Sequence, residues 1–256
     1  MLKSKPKNSI KIGQLFALGK HHLLAGDATN SEHVKLLMKS KKVDLICVDI
    51  PYGVGYVENK RTYKQKLGKE KIIVNDNISS ETEYAKFNKE WLGCIKPYMA
   101  SKNSAYIFNS DKMLFALRDG LQQAGWYMSQ LLIWVKNSSI VGRLDYLPQH
   151  ELIIYAWHGT HKFKKAKDKS VLIYPRPSKS KLHPTMKPVS LLRRLILNST
   201  NIGDVVYDGF LGSGSCLIAC EQIGRICYGI EIDTEYCQTI IDRYEKITGN
   251  KAKLLT

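Results

Sequence analysis

The absences in this 256-residue chain narrow its class before any motif is read. No apolar run approaches the roughly 20 residues needed to cross a bilayer; Leu131 to Val135 and Leu152 to Trp157 are among the longest. The lysine-rich start, Met1 to Lys7, is followed by neither an apolar core nor a small-residue cleavage site, so it does not read as a signal peptide and a cytoplasmic location is expected. None of the six cysteines (Cys47, Cys94, Cys216, Cys220, Cys227, Cys237) belongs to a two-residue-spaced pair of the zinc-site kind. They sit mostly inside apolar runs and read as small buried thiols in a reducing compartment, with no metal expected. Acidic residues are scarce, 23 against 39 Lys and Arg, and the formal charge of +16 points to a polyanionic partner, although ribosomal and lipid-surface proteins share such a balance. There is no internal repeat and no low-complexity tract. With 44% hydrophobic residues, the chain (1–256) can bury the core of one large α/β domain, alone or with a small insertion.

Lys42 to Asp49, KVDLICVD, is a β-branched apolar run ending in an acid, which reads as a buried strand of a parallel sheet. Residues 56–80 are polar and basic with little periodicity, and a mobile basic loop is expected there. Glu81 to Cys94 places Tyr84, Phe87, Trp91 and Leu92 on one face of a helix. Ser104 to Asn109, Leu131 to Lys136 and Leu152 to Trp157 are strand candidates, with a helix over about 111–124. A second basic cluster spans about 158–182, and Pro188 to Thr200 reads as a helix with proline near its first turn. Next comes a compact unit of strand VVYD (205–208), loop GFLGSG (209–214), helix SCLIACEQIG (215–224) and strand ICYGIEID (226–233). Such alternation implies a mostly parallel, doubly wound sheet with helices on both faces.

Two loops carry chemistry. A strand running through Gly212-x-Gly214 straight into a helix lets backbone approach a ligand closely, beside helix N-terminal amides. The next strand ends at Glu231, an acid placed to accept hydrogen bonds from ribose hydroxyls, and Asp208 precedes the loop, so the unit reads as a nucleoside site. A dinucleotide fingerprint would need a third glycine where Leu217 stands, which counts against a nicotinamide oxidoreductase. The second loop, Asp49-Ile50-Pro51-Tyr52, lies at the carboxyl end of its strand, where open α/β sheets bind ligands. An exocyclic amine is a poor nucleophile because its lone pair is delocalised into the ring. The Asp49 carboxylate and the Ile50 carbonyl can accept the two amino hydrogens and favour a more tetrahedral nitrogen. Tyr52 offers a face for an extruded base, and Pro51 stiffens the turn.

These blocks, in this order, resemble the β class of amino-DNA methyltransferases, whose signature is Asp-Pro-Pro-Tyr and whose catalytic tetrapeptide precedes the cofactor loop. The resemblance extends from LLAGDAT (23–29) to about Tyr244 and is densest in LHPTMKPVSLLRRLI, YDGFLGSGS and YGIEID. The GVGY that follows the tetrapeptide and the later Asn75-Asp76 are similar to compact phage and prophage enzymes. The resemblance implies a Rossmann-like S-adenosylmethionine-dependent methyltransferase fold with circularly permuted motif order. It further implies that Asp208, Phe210, Gly212 and Gly214 line the cofactor's methionine and ribose portion, that Glu231 holds the ribose hydroxyls, and that Asp27 contacts the adenine amino group. His183, Thr185 and Lys187 then correspond to residues that approach the methionine carboxylate. Two positions depart from the family: Ile50 stands in place of the first proline, and Gly209 in place of a proline before Phe210. Since the first proline contributes its carbonyl, isoleucine can supply the same group.

Aspartate at the head of the tetrapeptide usually goes with adenine N6 and serine with cytosine N4, and no Pro-Cys dipeptide supplies the thiol needed for cytosine carbon-5 chemistry. The substrate expected is therefore an adenine flipped out of double-stranded DNA, with phosphates held by the basic loops and direct transfer of the methyl group. The short 158–182 segment stands where the family inserts its target-recognition region, so a short or relaxed recognition sequence is expected. Cytosine N4, RNA or protein amino groups, and a non-catalytic DNA-binding subunit are the alternatives. A homodimer and a cognate restriction endonuclease are open as partners.

Overall fold

The computed structural model describes residues 9–53, 78, 80–139, 145–164, 167–176 and 186–256. Strands β1 (Leu15–Leu18) and β2 (His21–Ala25) form a hairpin, followed by helix α1 (Ser31–Met38) and strand β3 (Val43–Asp49). Helix α2 (Glu81–Ile95), strand β4 (Met99–Asn109), helix α3 (Leu114–Gln123) and strand β5 (Tyr127–Val135) come next. Strand β6 (His150–Trp157) and the short strands β7 (Thr160–His161) and β8 (Val171–Ile173) precede helix α4 (Val189–Ser199). The chain closes with β9 (Val205–Asp208), α5 (Ser215–Gln222), β10 (Ile226–Glu231), α6 (Thr234–Thr248) and β11 (Lys253–Leu254).

The strands lie in the order β11-β1-β2-β10-β9-β3-β4-β6-β5-β8, with β7 paired to β4. From β2 to β4 every neighbouring pair is parallel, so Ala25, Glu231, Asp208, Asp49 and Asn109 all finish at one edge. β6 is antiparallel to both β4 and β5, which makes its first residues, not its last, share that edge.

The centre is parallel because both faces are covered. On β3, Ile46 and Val48 pack on one side with Val34, Trp91, Leu92 and Leu117 from α1, α2 and α3. Leu45 and Cys47 alternate to the other side, against Leu191, Leu195, Leu217 and Ile240 from α4, α5 and α6. The period-two alternation of one strand thus feeds two cores, with about 1.5–3 kcal/mol gained per large apolar side chain removed from water. The expected doubly wound sheet is present, with antiparallel strands at its margins.

Several boundaries differ from the sequence expectations. β4 begins at Met99 rather than Ser104, and β5 at Tyr127 rather than Leu131, because both extend through residues that include the exposed Ser101, Lys102, Tyr127 and Gln130. β10 stops at Glu231, where the Asp233 side chain caps α6 by accepting from the backbone N–H groups of Glu235 and Tyr236. Within the basic 158–182 segment, β7 and β8 form two short strands. The 56–80 loop lies almost wholly outside the described residues.

Candidate active site

The parallel registers bring the two chemical loops to a common edge. At the end of β3, the Lys187 ammonium donates to Asp49 Oδ2 at 2.7 Å, and the Tyr52 hydroxyl lies 3.0 Å from Asp49 Oδ1. The same hydroxyl lies 2.9 Å from Glu151 Oε2, and Lys187 reaches Glu151 at 3.1 Å. Lys136, at the end of β5, closes the cluster with a 2.7 Å ion pair to Glu151 Oε1. Two carboxylates thus share two ammonium groups and one phenol. The Asp49 side chain keeps 28% of its surface open, whereas Lys187 keeps 5%, so the aspartate faces the cleft and the lysine supports it from behind.

Electrostatics separates the two acids. Burial, and then the Glu151 charge, push Asp49 above the ordinary aspartate range, against the pull of Lys187. Burial would raise Glu151 as well, but Lys187 and Lys136 together bring it below the ordinary carboxylate range. Burial works against the charge on Lys187, yet Asp49 and Glu151 hold its pKa above that of a free lysine. Tyr52 is held protonated by burial and by both carboxylates. Behind the loop, the Tyr84 hydroxyl lies 2.8 Å from the Pro51 carbonyl and 3.1 Å from Asn109 Oδ1, so α2 and the end of β4 brace the turn. The Ile50 side chain is 2% exposed and packs into the core, which accounts for an apolar residue where the family has proline.

Beside this cluster, β9 delivers Asp208 and β10 delivers Glu231. Gly212 (φ +52°) and Gly214 (φ +78°) both hold left-handed backbone, and a Cβ on Gly214 would stand 3.2 Å from Ile240. The Gly212 amide donates to Glu231 Oε2 at 2.6 Å and the Asp233 amide to Oε1 at 2.8 Å. Asp208 Oδ1 accepts from the Phe210 amide at 3.0 Å, and the Phe210 ring sits edge-on to Trp91 with centroids 5.6 Å apart. Burial raises Asp208 to about 8 and Glu231 to about 7. Asp27 Oδ1 accepts from both the amide and the hydroxyl of Thr29 at 2.8 Å. The edge therefore gathers five acids (Asp27, Asp49, Glu151, Asp208, Glu231) in a chain of net charge +16. A cationic ligand suits such an edge; a pyrophosphate does not.

Of the site residues expected from sequence, the structure brings Asp49, Tyr52 and Lys187 into direct contact, and sets Asp208, Phe210, Gly212, Gly214 and Glu231 on the neighbouring strand ends. Lys187, expected to approach the cofactor's carboxylate, forms ion pairs with Asp49 and Glu151. His183 and Thr185 lie outside the described residues. Sequence reasoning missed Glu151, Lys136, Tyr84 and Asn109. A signal existed for Glu151, an acid on the threshold of the apolar run LIIYAW, but its meaning depends on β6 running backwards.

Fold and site together define a nucleoside-dependent group-transfer enzyme with an acid-Pro-Tyr turn at the reacting end. A family model described as DNA methylase (N6_N4_Mtase) matches residues 43–242, and the chain belongs to that family of N6-adenine or N4-cytosine amino methyltransferases. Among curated relatives, the type II methyltransferase M.HpaI of Haemophilus parainfluenzae is 27% identical over 81% of this chain and 70% of its own length. The type II methyltransferase M2.DpnII of Streptococcus pneumoniae is also 27% identical, over 81% of this chain and 84% of its own. The solved complex of M1.HpyAVI with S-adenosylmethionine superposes with a TM-score of 0.63 at 27% identity, covering 86% of this chain and 98% of that one. The cytosine-N4-specific PvuII DNA methyltransferase shares the fold (TM-score 0.65, 13% identity, 91% and 94% covered).

Proposed function

We propose that this protein methylates the N6 amino group of an adenine flipped out of double-stranded DNA, using S-adenosylmethionine. The observation that carries the reading is the shared edge: a partly open Asp49, tied to Tyr52, stands beside a glycine loop flanked by two buried acids. The cofactor fits the residues present. Its ribose hydroxyls suit Glu231, its positive charges suit Asp208, and the backbone of Gly212 and Gly214 leaves room for close approach; Asp27 and Phe210 complete the adenosine and methionine surroundings. When bound, it supplies an electrophilic methyl group.

The remaining work falls to the chain. Asp49 and the Ile50 carbonyl accept the amino hydrogens of the target base and orient its lone pair. The Lys187 ammonium lies 5.3 Å from the centre of the Tyr52 ring, and the flipped base stacks against that tyrosine. Adenine is preferred to cytosine because aspartate heads the tetrapeptide. The basic segment after β6 is anchored for phosphate contact: Asp168 receives Arg194 Nε at 3.0 Å and Asn198 Nδ2 at 2.6 Å, both from α4. That segment is short, which favours a short recognition sequence.

The test is to incubate the protein with unmethylated DNA and S-adenosylmethionine and identify the modified nucleoside by mass spectrometry, with Asp49→Ala in parallel. N6-methyladenine, abolished in the variant and mapped by sequencing to a short site, is the expected result. N4-methylcytosine would overturn the base assignment, and methylation of RNA or protein alone would overturn the substrate.

A further inference from the structure

Glu151 lies outside both motif loops, yet it is the hub of the cluster, touching Tyr52, Lys187 and Lys136 at 2.9, 3.1 and 2.7 Å. Lys136 directly follows β5 and Glu151 lies in β6, the antiparallel pair that the permuted motifs do not involve. A lysine as buried as Lys187 would neutralise both acids equally if nothing distinguished them. Lys136 does distinguish them, since it pairs with Glu151 and has no such contact to Asp49 among the described residues.

We propose that Glu151 is a positioning residue that, with Lys136, takes the larger share of the site's positive charge, so that Asp49 remains the carboxylate able to accept a proton from the methylated amine. This rests on the reading of Asp49 given above. The balance is simple. A new C–N bond uses the nitrogen lone pair as the methyl–sulfur bond breaks; one N–H bond then breaks, its electrons return to nitrogen, and the proton passes to Asp49. The acid bearing two ammonium partners is a poor proton acceptor, and the acid bearing one, crowded by a like charge, is the better one. The charged and titratable groups that meet in the cluster are Asp49 and Tyr52 from the end of β3, Lys136 from the end of β5, Glu151 from the start of β6 and Lys187 from the approach to α4; Asp208, at the end of β9, feels the Asp49 charge.

Two substitutions in the full chain give shifts of opposite sign, which a mere folding defect cannot produce. Glu151→Gln removes a negative neighbour and leaves Lys187 to Asp49, so the Asp49 pKa falls. Lys136→Met removes a positive partner from the cluster, so the Asp49 pKa rises. Under single-turnover conditions, the acid limb of the methylation rate is expected to move down in Glu151→Gln and up in Lys136→Met. In Glu151→Gln kcat should fall by roughly 10- to 100-fold, with KM for DNA and cofactor affinity changing about threefold or less. The Asp49 carboxyl carbon, followed by ¹³C NMR against Asp49→Asn, should titrate in the same two directions without any need for turnover. Acid limbs and carboxyl titrations that stay together in all three proteins would overturn the proposal, as would shifts of the same sign. Carboxyl shifts of opposite sign in the two variants, with a wild-type protein that methylates no DNA, would instead sink the assignment of the reaction and leave the charge partition standing.

Discussion

Binding of S-adenosylmethionine is expected to expel protons from the protein. Asp208 and Glu231 are raised to about 8 and about 7 because burial penalises their charged forms, and both stand at strand ends beside the glycine loop. At pH 7 roughly nine-tenths of Asp208 and half of Glu231 are therefore protonated in the free protein. Ribose hydroxyls donated to Glu231 and positive charge set beside Asp208 each favour the carboxylate, so saturation should release about 1.4 protons at pH 7, and close to none above about pH 9. Isothermal titration calorimetry in buffers of differing ionisation enthalpy reads this number directly from the slope of the observed heat. Glu231→Gln should remove about half a proton from it. The same shifts fix the sign of the stability profile. An unfolded chain loses these protons near pH 4, whereas the folded, ligand-free protein keeps them to 7 or 8, so its stability should fall as pH rises through that window. For Glu231 alone the loss is about 3 kcal/mol, and the cofactor should restore most of it. Equal heats in all buffers between pH 6 and pH 8 would refute the reasoning.

Two further outcomes can be checked by unfolding experiments. Lys162 bridges Asp44 at 2.9 Å and Asp204 at 2.6 Å while only 19% exposed, so Lys162→Met strands two facing carboxylates and should cost about 2 kcal/mol, or roughly 5 °C in Tm, at low salt; an unchanged calorimetric Tm would count against a structural role for the bridge. A Cβ at Gly209 would lie 2.9 Å from the Tyr207 hydroxyl and 3.0 Å from the Ala28 Cβ, and that hydroxyl is buried without a hydrogen-bond partner among the described residues. Restoring the family residue by Gly209→Pro should therefore destabilise the protein by about 2 kcal/mol, and adding Tyr207→Leu should recover about 1 kcal/mol or more in urea titrations; strict additivity would show that the two positions do not interact.

Much of this architecture was legible from local pattern. The runs at 45–48 and 205–207 are continuous apolar stretches, each closed by an acid, and the glycine loop announces the turn into α5. The face of α2, with Tyr84, Phe87, Trp91 and Leu92, follows helical spacing closely. α6 left the same kind of trace in Cys237, Ile240, Ile241 and Tyr244, between the Asp233 cap and Gly249, so its omission was a matter of reading and not of signal. Strand direction is different in kind. Nothing local tells that β6 runs against β4, and that reversal decides that Glu151, not Trp157, reaches the ligand edge. The partners of Lys187 were equally out of reach, because its carboxylates come from 138 and 36 residues away in sequence and meet only when β3 and β6 flank β4.

The reversal at β6 also separates what the site must keep from what it can vary. β5 arrives at the ligand edge and β6 departs from it, so the connection between Lys136 and Glu151 begins and ends at the cluster itself. Its two ends are pinned together: the Lys136 amide donates to the Gln149 carbonyl at 2.8 Å, and the Gln149 side chain returns a 3.0 Å bond to the Lys136 carbonyl. Between those pins the chain can lengthen, shorten or change composition while the two charged residues stay in register. Substitutions in that connection can therefore leave the paired charges in place, as one changes the bit of a drill while the chuck stays tight.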